Sequence, residues 1–366
     1  MTALVSGIGD FFQKVLRPVS VSFRGEKTYL TLDIGTSAVK MLEIQDTDGA
    51  LQVMQAGIEP LPSDTVQAGL IHDPARLSAS LQGLIEAHQI KTTDVVTALP
   101  GSVVVSKRLT LPAQEPSELH QSILFEAGNV IPESLEDMSL DYQVLSRTED
   151  AQTVDVLLVA VRKDVLEGYV TAMRQAGLVP RIVDVDYFAL ENGFELNYQA
   201  EPDETIGLID IGAQSAAIHI VKDGQSASTA EVPVGGQHLT HFLTQELGID
   251  HGQAERLKLG AEDQDAVQPL LARAAQHLVD EVQRGLRFAW SDTGQDQLHT
   301  IYVSGASARL PGLVPTMAAR LGVKTEIFAP FRLLDVHPHV DDVWLDRHAA
   351  SFAISVGLAT RRPGDR

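Results

Sequence analysis

The chemistry of this sequence centres on an acidic residue before a short glycine turn. Asp33 lies near the end of an alternating apolar run, and Gly35, Thr36 and Ser37 follow before a second run begins at Ala38. This pattern predicts two strands joined by a tight turn, in which Gly35 supplies backbone angles that other residues rarely adopt. The N–H groups of such a turn bind anions, and the carboxylate can hold a hydrated Mg²⁺ that bridges to phosphate. A plain hairpin turn is the alternative interpretation.

A second copy of this pattern lies in the other half of the chain. Asp210 lies in the apolar run 206–211, and the residues of the turn that follows are Gly212, Ala213, Gln214 and Ser215. An internal repeat at half-chain separation indicates a duplicated fold with two similar lobes. Two such hairpins that face one another would bring Asp33 and Asp210 to one metal and phosphate site.

A third stretch supplies small residues after a strand. The run 299–304 predicts a strand, Gly305 and Ala306 follow it, and Pro311 marks the start of a helix. Small residues at this position let a flat ring lie against the backbone. The alternation of strands and helices along the chain predicts α/β sheets that are covered by helices.

The composition excludes several classes of protein. The chain of 366 residues is long enough for two or more lobes with sizeable cores. Its formal net charge of −21 opposes nucleic-acid binding, which needs a basic face. A sequence without cysteine has no disulfides, thiolate nucleophiles or cysteine-ligated metals. No apolar run reaches the roughly 20 residues that cross a bilayer, and we find no secretory signal, so we expect a cytoplasmic protein.

Residues 1–27 form an arm before the predicted fold. Apolar residues recur there at helical spacing, and Pro18 ends the run. This stripe predicts either a short helix that binds a membrane surface or partner, or a terminal helix packed on the body. The stripe consists of Leu4, Ile8, Phe11, Phe12 and Val15.

The order of the elements divides the rest of the chain into lobes. We expect a first lobe from 28–91 and 162–200, interrupted by an inserted α+β subdomain at 92–161. A helix over 117–129 and strands near 140–146 and 153–161 define the insert. An acidic, proline-bearing loop at 199–204 predicts the boundary before a second lobe at 205–360.

The three stretches, in this order, resemble the nucleotide-binding core of the actin-like ATPase superfamily. Within it, the chain is similar to the PilM family of type IV pilus assembly proteins, which are relatives of the division protein FtsA. The resemblance implies an α/β actin-like ATPase fold, with two duplicated lobes around a nucleotide cleft and an inserted FtsA-like subdomain used for protein contact. Further segments that carry it are 97–102, 118–132, 141–145, 183–190 and 254–258.

The same resemblance implies that ATP and Mg²⁺ bind in the cleft. Lys40 would lie near the phosphates, although a solvent-exposed lysine on a strand edge is the alternative. Phosphoryl transfer to water is the plausible reaction, because the protein then mainly positions groups and neutralises charge. Asp33 and Asp210 are the expected metal ligands, and the phosphate cradle is assigned to Gly35, Thr36, Ser37, Gly212, Ala213, Gln214, Ser215 and Gly236.

The resemblance also assigns the nucleoside side and the attacking water. Glu255 and Lys258 would contact ribose and adenine, although residues one helical turn apart also form surface ion pairs. The adenosine turn would be formed by Gly305 and Ala306. Asp184 and Asp186 are the candidates that set the attacking water, and either could instead cap a helix.

Two departures from the family pattern weaken the predicted site. The second turn continues Ser215-Ala216 where family members usually have threonine, and Gly305-Ala306 replaces a usual glycine pair. Loss of a hydroxyl and added bulk would weaken nucleotide binding, so slow or absent hydrolysis is consistent with the sequence.

The function that this resemblance implies is an ATP-binding component of the type IV pilus assembly machine at the inner face of the bacterial inner membrane. Its implied partner is the N-terminal cytoplasmic tail of the membrane protein PilN, docked in a groove beside the insert. A nucleotide-independent scaffold, similar to GspL or FtsA, is one alternative. A small-molecule kinase of the same superfamily is another, although no sugar-binding cluster lies near either turn. Membrane association would come through partners, and self-association stays open.

Overall fold

A computed structural model describes residues 27–148, 152–198, 201, 203–258, 264–291 and 298–362. The predicted helix within the arm 1–27 lies outside these described residues. Residues 199, 200 and 202 of the loop 199–204 that was predicted as a lobe boundary also lie outside them.

Some strands show the alternating burial that the sequence predicts, and others are buried along nearly their whole length. In chain order they are β1 (Lys27–Ile34), β2 (Ala38–Thr47), β3 (Ala50–Pro60), β4 (Val66–Gln67), β5 (Leu70–Ile71), β6 (Asp94–Leu99), β7 (Val104–Pro112), β8 (Met138–Thr148), β9 (Thr153–Arg162), β10 (Val179–Val185), β11 (Thr205–Ile211), β12 (Ala216–Lys222), β13 (Gln225–Val232), β14 (Thr300–Ser304), β15 (Lys324–Ile327) and β16 (Asp335–Val336).

The helices cover these sheets and connect the strands. In chain order they are α1 (Pro74–Ala87), α2 (Pro116–Val130), α3 (Lys163–Gln175), α4 (Asp186–Asn197), α5 (Gly236–Leu247), α6 (His251–Lys258), α7 (Gln264–Ser291), α8 (Leu313–Leu321), α9 (Asp342–His348) and α10 (Ala353–Ala359). Proline opens α1, where Asp73 also caps the helix by accepting a hydrogen bond from the N–H of Arg76.

Two sheets with related topology form the body of the molecule. The first has the order β10-β6-β1-β2-β3-β16, and the second has the order β13-β12-β11-β14-β15. In each, an antiparallel hairpin (β1–β2 or β11–β12) is extended on its first strand by a parallel strand (β6 or β14). The duplicated, two-lobed α/β fold expected from the sequence is therefore present.

The two central helices, α4 and α10, cross at glycines. A Cβ atom built on Gly357 would lie 1.6 Å from the carbonyl oxygen of Ala189, and one on Gly193 would lie 2.9 Å from that of Ala353. Only glycine permits so close an approach of two backbones. This crossing sets the position of α4, whose first residue is Asp186.

The insert is a three-stranded antiparallel sheet with the order β7-β9-β8, packed on α2. The structure corrects the predicted start of this insert at residue 92, because β6 belongs to the first sheet. Val95, Val96 and Thr97 pair in parallel with residues 30–32 of β1. A strand buried between β10 and β1 cannot also serve as an edge of the insert.

The predicted second lobe at 205–360 also ends too late. Phe352 and Val356 share a buried core with Leu42 and Ile44 of β2, and β16 pairs with β3. The chain thus returns to the first lobe after β15. This returning segment covers the outer face of the first hairpin. The predictions contained neither α9 nor β16.

Candidate functional site

The two predicted glycine turns have the same geometry. The N–H of Gly35 donates to the carbonyl of Ala38 at 3.1 Å, and that of Gly212 donates to the carbonyl of Ser215 at 2.9 Å. The flanking strands pair in the same register, Ile34 with Val39 in one hairpin and residues 211 with 216 in the other. The repeat detected in the sequence is therefore a repeat of one hairpin-and-turn structure.

Glycine has a different role in these turns from the one predicted. The backbone of neither Gly35 nor Gly212 has a positive φ angle. A Cβ atom at Gly35 would lie 3.1 Å from Lys40 Nζ and 3.2 Å from the carbonyl oxygen of Ala38. The expectation of unusual backbone angles is wrong, because the small size of glycine closes the turn instead.

Asp33, Lys40 and Asp210 lie near enough for their charges to act on one another, and the region between them is called the hollow below. Lys40 Nζ is 2.9 Å from Asp33 Oδ2, and Asp210 Oδ1 accepts a hydrogen bond from Ser304 Oγ at 2.8 Å. Burial raises the pKa of Asp210; the charge of Lys40 counteracts this and that of Asp33 adds to it. Burial lowers the pKa of Lys40, but the two carboxylates raise it above its usual value. Such mutual influence places the three groups near one another.

Asp186 faces the same hollow from the start of α4. Its Oδ1 accepts hydrogen bonds from the N–H of Gly101 at 3.0 Å and of Tyr187 at 2.6 Å. Burial raises its pKa to about 8, and the charges of Asp210 and Asp33 contribute to the rise. Val185 occupies the cap position, so Asp186 is the first helical residue and not the predicted cap.

Asp184 points elsewhere. Its Oδ2 lies 3.0 Å from Arg361 Nε, and its side chain is 8% exposed. Its charge acts on the pKa values of Tyr187 and Glu191, and Asp184 is absent from the groups that shift the pKa of Asp186. The structure therefore does not bring Asp184 to the hollow, because the chain turns into a helix between the two acids.

The second turn rests on the first turn of α5. The N–H of Gly236 donates to the carbonyl of Gly212 at 2.9 Å, and that of Gln237 donates to the carbonyl of Ala213 at 2.8 Å. A Cβ atom at Gly235 would lie 2.6 Å from the Gly212 carbonyl oxygen. Gly235 is therefore a site residue that the sequence assignment missed, although it precedes the assigned Gly236.

The third predicted stretch packs against the same turn. Gly305 has φ of +91°, and a Cβ atom there would lie 2.4 Å from the carbonyl oxygen of Ile211. Ser307 donates from its N–H to the same carbonyl at 3.2 Å. Ala306 is exposed beside this contact. The loop thus leaves one small, accessible side chain next to the second hairpin.

Glu255 and Lys258 form an ion pair one helical turn apart, but it is not the surface pair of the alternative interpretation. Lys258 Nζ lies 2.7 Å from Glu255 Oε1 and 2.9 Å from Thr240 Oγ1. Lys258 is only 7% exposed, and its Nζ also donates to the carbonyl of Gly236 at 3.3 Å. The pair therefore lies against Gly236 at the start of α5, and not on a solvent-facing helix surface.

The donor set of the hollow fits a divalent cation beside phosphate. The carboxylates of Asp33 and Asp210 both act on one ammonium group, that of Lys40. Carboxylates left in excess in a buried site are costly, and oxygen ligands suit Mg²⁺. Among the described residues, no group of three or more potential ligands forms a cage. A metal here would therefore keep water and phosphate oxygens as ligands.

Comparison with known proteins adds family relationships to this geometry. Residues 31–363 match the family model described as type IV pilus assembly protein PilM. A solved structure titled "PilM-PilN type IV pilus biogenesis complex" is 27% identical, covers 90% of this chain and 97% of its own, and has a TM-score of 0.76.

More distant relatives share the fold. The structure of MreB 5 of Spiroplasma citri bound to AMPPNP is 12% identical, covers 90% of this chain and 94% of its own, and has a TM-score of 0.50. Cell division protein FtsA of Bacillus subtilis (strain 168) is 24% identical over 258 residues, which are 63% of this chain and 57% of that protein. The described part of the chain contains no helix with the length and hydropathy of a membrane span.

Proposed function

Because the chain belongs to the PilM family of type IV pilus assembly proteins, we propose that it binds ATP with Mg²⁺ and that nucleotide changes its affinity for a PilN-like partner. The partner segment is the N-terminal cytoplasmic tail of that membrane protein. The partner would hold the protein at the inner face of the inner membrane. Nucleotide acts in this proposal as a conformational ligand, which shifts the populations of lobe arrangements through differential affinity.

The observation that carries the nucleotide proposal is the shared hollow between two equivalent turns. Asp33 and Lys40 come from the first hairpin, Asp210 comes from the second, and Asp186 comes from the helix that joins the lobes. A ligand that contacts both turns would bind differently to open and closed lobes. This is the property that a conformational ligand needs.

Each residue has a chemical role in this proposal. Asp33 and Asp210 would hold hydrated Mg²⁺, and Lys40 would pair with phosphate oxygens. Bound Mg²⁺ would neutralise charge on the phosphates. Gly305 and Ala306 would receive the adenine ring, beside Glu255 and Lys258.

Asp186 accounts for slow hydrolysis in this proposal. With a pKa raised to about 8, its carboxyl group is mostly protonated at neutral pH, and a protonated acid cannot accept a proton from water. Its Oδ1 is also engaged by two backbone N–H groups. The site therefore suits nucleotide binding better than rapid turnover.

The partner site is proposed on the free face of the insert. Helix α2 covers one face of the β7-β9-β8 sheet, while Leu157 and Val159 of β9 remain partly exposed on the other. Arg108 and Gln143 flank Leu157 in register on this face. An apolar strip with polar borders fits a short peptide segment, and the similar solved structure is a complex with PilN.

Titration calorimetry tests whether the protein binds Mg-ATP. We expect Mg-ATP to bind the wild type and to bind Asp210→Asn at least about tenfold more weakly, which corresponds to about 1.4 kcal/mol. Glu231→Gln is the matched control, because this exposed acid lies on β13 of the same lobe. The coupling claim is tested by the affinity for a synthetic tail peptide with and without Mg-ATP. Equal peptide affinities in both conditions would remove the link between nucleotide and partner.

A nucleotide-independent scaffold is the second candidate. It is favoured by the way the site's own residues already pair, with Lys40 bonded to Asp33 and Lys258 bonded to Glu255 and Thr240. Under this candidate the tail peptide binds, but Mg-ATP gives no heat and no stabilisation at millimolar concentration.

A further inference from the structure

The two equivalent hairpins of the cleft differ in the residue that pairs with the acid. Asp33 of β1 pairs in register with Lys40, whose Nζ lies 2.9 Å from Asp33 Oδ2. The corresponding pair in the second hairpin is Asp210 with Ala217. A methyl group carries no charge and donates no hydrogen bond. The second hairpin therefore lacks a counterpart of the lysine at this position.

The parallel strand beside each hairpin differs in the opposite sense. Asp210 of β11 pairs in register with Ser304 of β14, and Ser304 Oγ donates to Asp210 Oδ1 at 2.8 Å. In the first lobe, the parallel pairing of β1 with β6 ends one residue before Asp33, and the next residue of β6 is Ala98. On its neighbouring strands, Asp33 thus has a charged partner, whereas Asp210 has a neutral donor.

A neutral donor does not cancel the charge of a carboxylate. Lys40 bonds directly to Asp33, and it acts on Asp210 through its charge. One ammonium group cannot neutralise two carboxylates, and the hydroxyl of Ser304 adds no positive charge. Uncompensated negative charge in a buried site is costly, so the charge that remains favours a bound cation.

Ser304 also fixes the direction of the Asp210 carboxylate. The last side-chain torsion of aspartate is broad, so a carboxylate without a partner has several orientations. Ser304 is the last residue of β14 and is fully buried, with 0% exposure. Its hydroxyl therefore holds Oδ1 from a fixed point and leaves Oδ2 to a ligand. Carboxylates that bind metals are generally held by such a hydrogen bond.

We propose that Ser304 is a positioning residue, which orients Oδ2 of Asp210 towards a divalent cation and leaves the charge of the carboxylate available to it. This inference rests on the proposed function of the cleft, because the cation is the one that accompanies the phosphates. Ser304 contacts no ligand in this arrangement and acts through Asp210.

The first test separates metal binding from nucleotide binding. Competition against a fluorescent ATP analogue gives the Kd of ATP in excess EDTA and in excess Mg²⁺, and the ratio of the first to the second is the magnesium factor. Ser304→Ala should lower this factor at least about tenfold, because loss of a hydrogen bond to a metal ligand weakens metal binding by about 10- to 100-fold. The affinity in EDTA should be that of the wild type, whereas a damaged fold would weaken binding in both conditions.

Ser355→Ala is the matched control for the loss of a buried hydroxyl group. Ser355 of α10 is also 0% exposed, and its Oγ has no hydrogen-bond partner among the described residues. The magnesium factor of this variant should equal that of the wild type. An equal loss in both variants would assign the effect of Ser304 to packing and overturn its positioning role.

The second test uses the full chain without metal or nucleotide. Urea unfolding of wild type, Ser304→Ala, Asp210→Ala and the double variant forms a double-mutant cycle. Ser304→Ala should raise the equilibrium constant for unfolding about tenfold in the wild type, because a hydrogen bond to a charged group is lost. The same change should have a much smaller effect in the Asp210→Ala background. Equal effects in the two backgrounds would show that the hydroxyl does not hold the carboxylate.

The two proposals fail in different ways. ATP binding by the wild type, combined with an unchanged magnesium factor in Ser304→Ala or with an uncoupled cycle, overturns only the role of Ser304. Absence of ATP binding by the wild type in both conditions overturns the proposed nucleotide function, and the role of Ser304 towards the metal with it.

Discussion

Lys40 Nζ and Asp33 Oδ2 are 2.9 Å apart, and they come from neighbouring strands of one hairpin in direct register. Asp210, from the equivalent hairpin of the other lobe, acts on the pKa of the same lysine. One ammonium group thus lies between carboxylates from both halves of the molecule. Its loss would leave the excess negative charge of the cleft without compensation.

Lys40→Met should therefore weaken Mg-ATP binding at least about tenfold, since a charge-assisted contact is worth about 1.5–3 kcal/mol. Calorimetry measures this effect. The control is Lys91→Met, because Lys91 is exposed before β6 and lies outside the cleft residues. Unchanged affinity in the Lys40 variant would place the phosphates elsewhere.

The glycine crossing of the central helices predicts a large effect on stability. Gly357→Ala should lower the free energy of unfolding by about 2–4 kcal/mol, because the added methyl group meets the Ala189 carbonyl at 1.6 Å. Gly83→Ala in α1 is the matched control, since no atom lies within 4 Å of its Cβ position. It should stabilise by about 0.5–1 kcal/mol, as alanine favours a helix interior. Urea unfolding of both variants checks the pair, and an equal effect would contradict the close crossing.

His219 predicts how stability responds to acid. Burial lowers its pKa in the folded protein to about 4, while the unfolded chain has the ordinary value of 6.5. Its contribution is therefore complete above pH 6.5 and is lost as the pH falls towards 4, by up to about 3 kcal/mol. Urea unfolding between pH 4 and 7 should show a shallower pH slope in His219→Gln than in wild type. The exposed His72 provides the control, since His72→Gln should leave the wild-type slope unchanged.

The free face of the insert predicts where the partner peptide binds. Leu157→Glu should weaken binding of the tail peptide at least about tenfold, because it places a charge in the apolar strip. Phe125→Ser is the control on α2, where the phenylalanine is 71% exposed on the element that covers the opposite face of the sheet. A loss confined to Phe125→Ser, measured by fluorescence anisotropy, would move the partner site to the helix.

Local patterns predicted the parts of the cleft that are local in sequence. The repeated Asp-Ile-Gly turns are each formed within a few residues, so spacing indicated them, whereas the assignments of Gly236 and Gly305 came from the family resemblance. The role of Gly35 was misjudged because the requirement for glycine is steric. An added Cβ atom would lie too close to Lys40 and Ala38 in the folded turn. A pattern of residue types does not contain that distance.

The features that the sequence did not predict depend on contacts between residues far apart in the chain. Asp184 and Asp186 are equivalent in sequence, and their long-range partners distinguish them, Arg361 for Asp184 and the N–H of Gly101 for Asp186. The strand β6 was assigned to the insert because its pairing partner, β1, lies far away in the chain. The His219–Glu191 contact likewise joins a strand and a helix whose proximity no local periodicity encodes.

The central claim is that the hollow between Asp33 and Asp210 receives a magnesium nucleotide. A crystal structure of the full chain grown with Mg²⁺ and AMPPNP tests it most directly. The account predicts triphosphate density that contacts both glycine turns, with the metal beside Asp33 and Asp210 and the phosphates beside Lys40. An empty hollow at saturating nucleotide, or density bound outside it, would contradict the account.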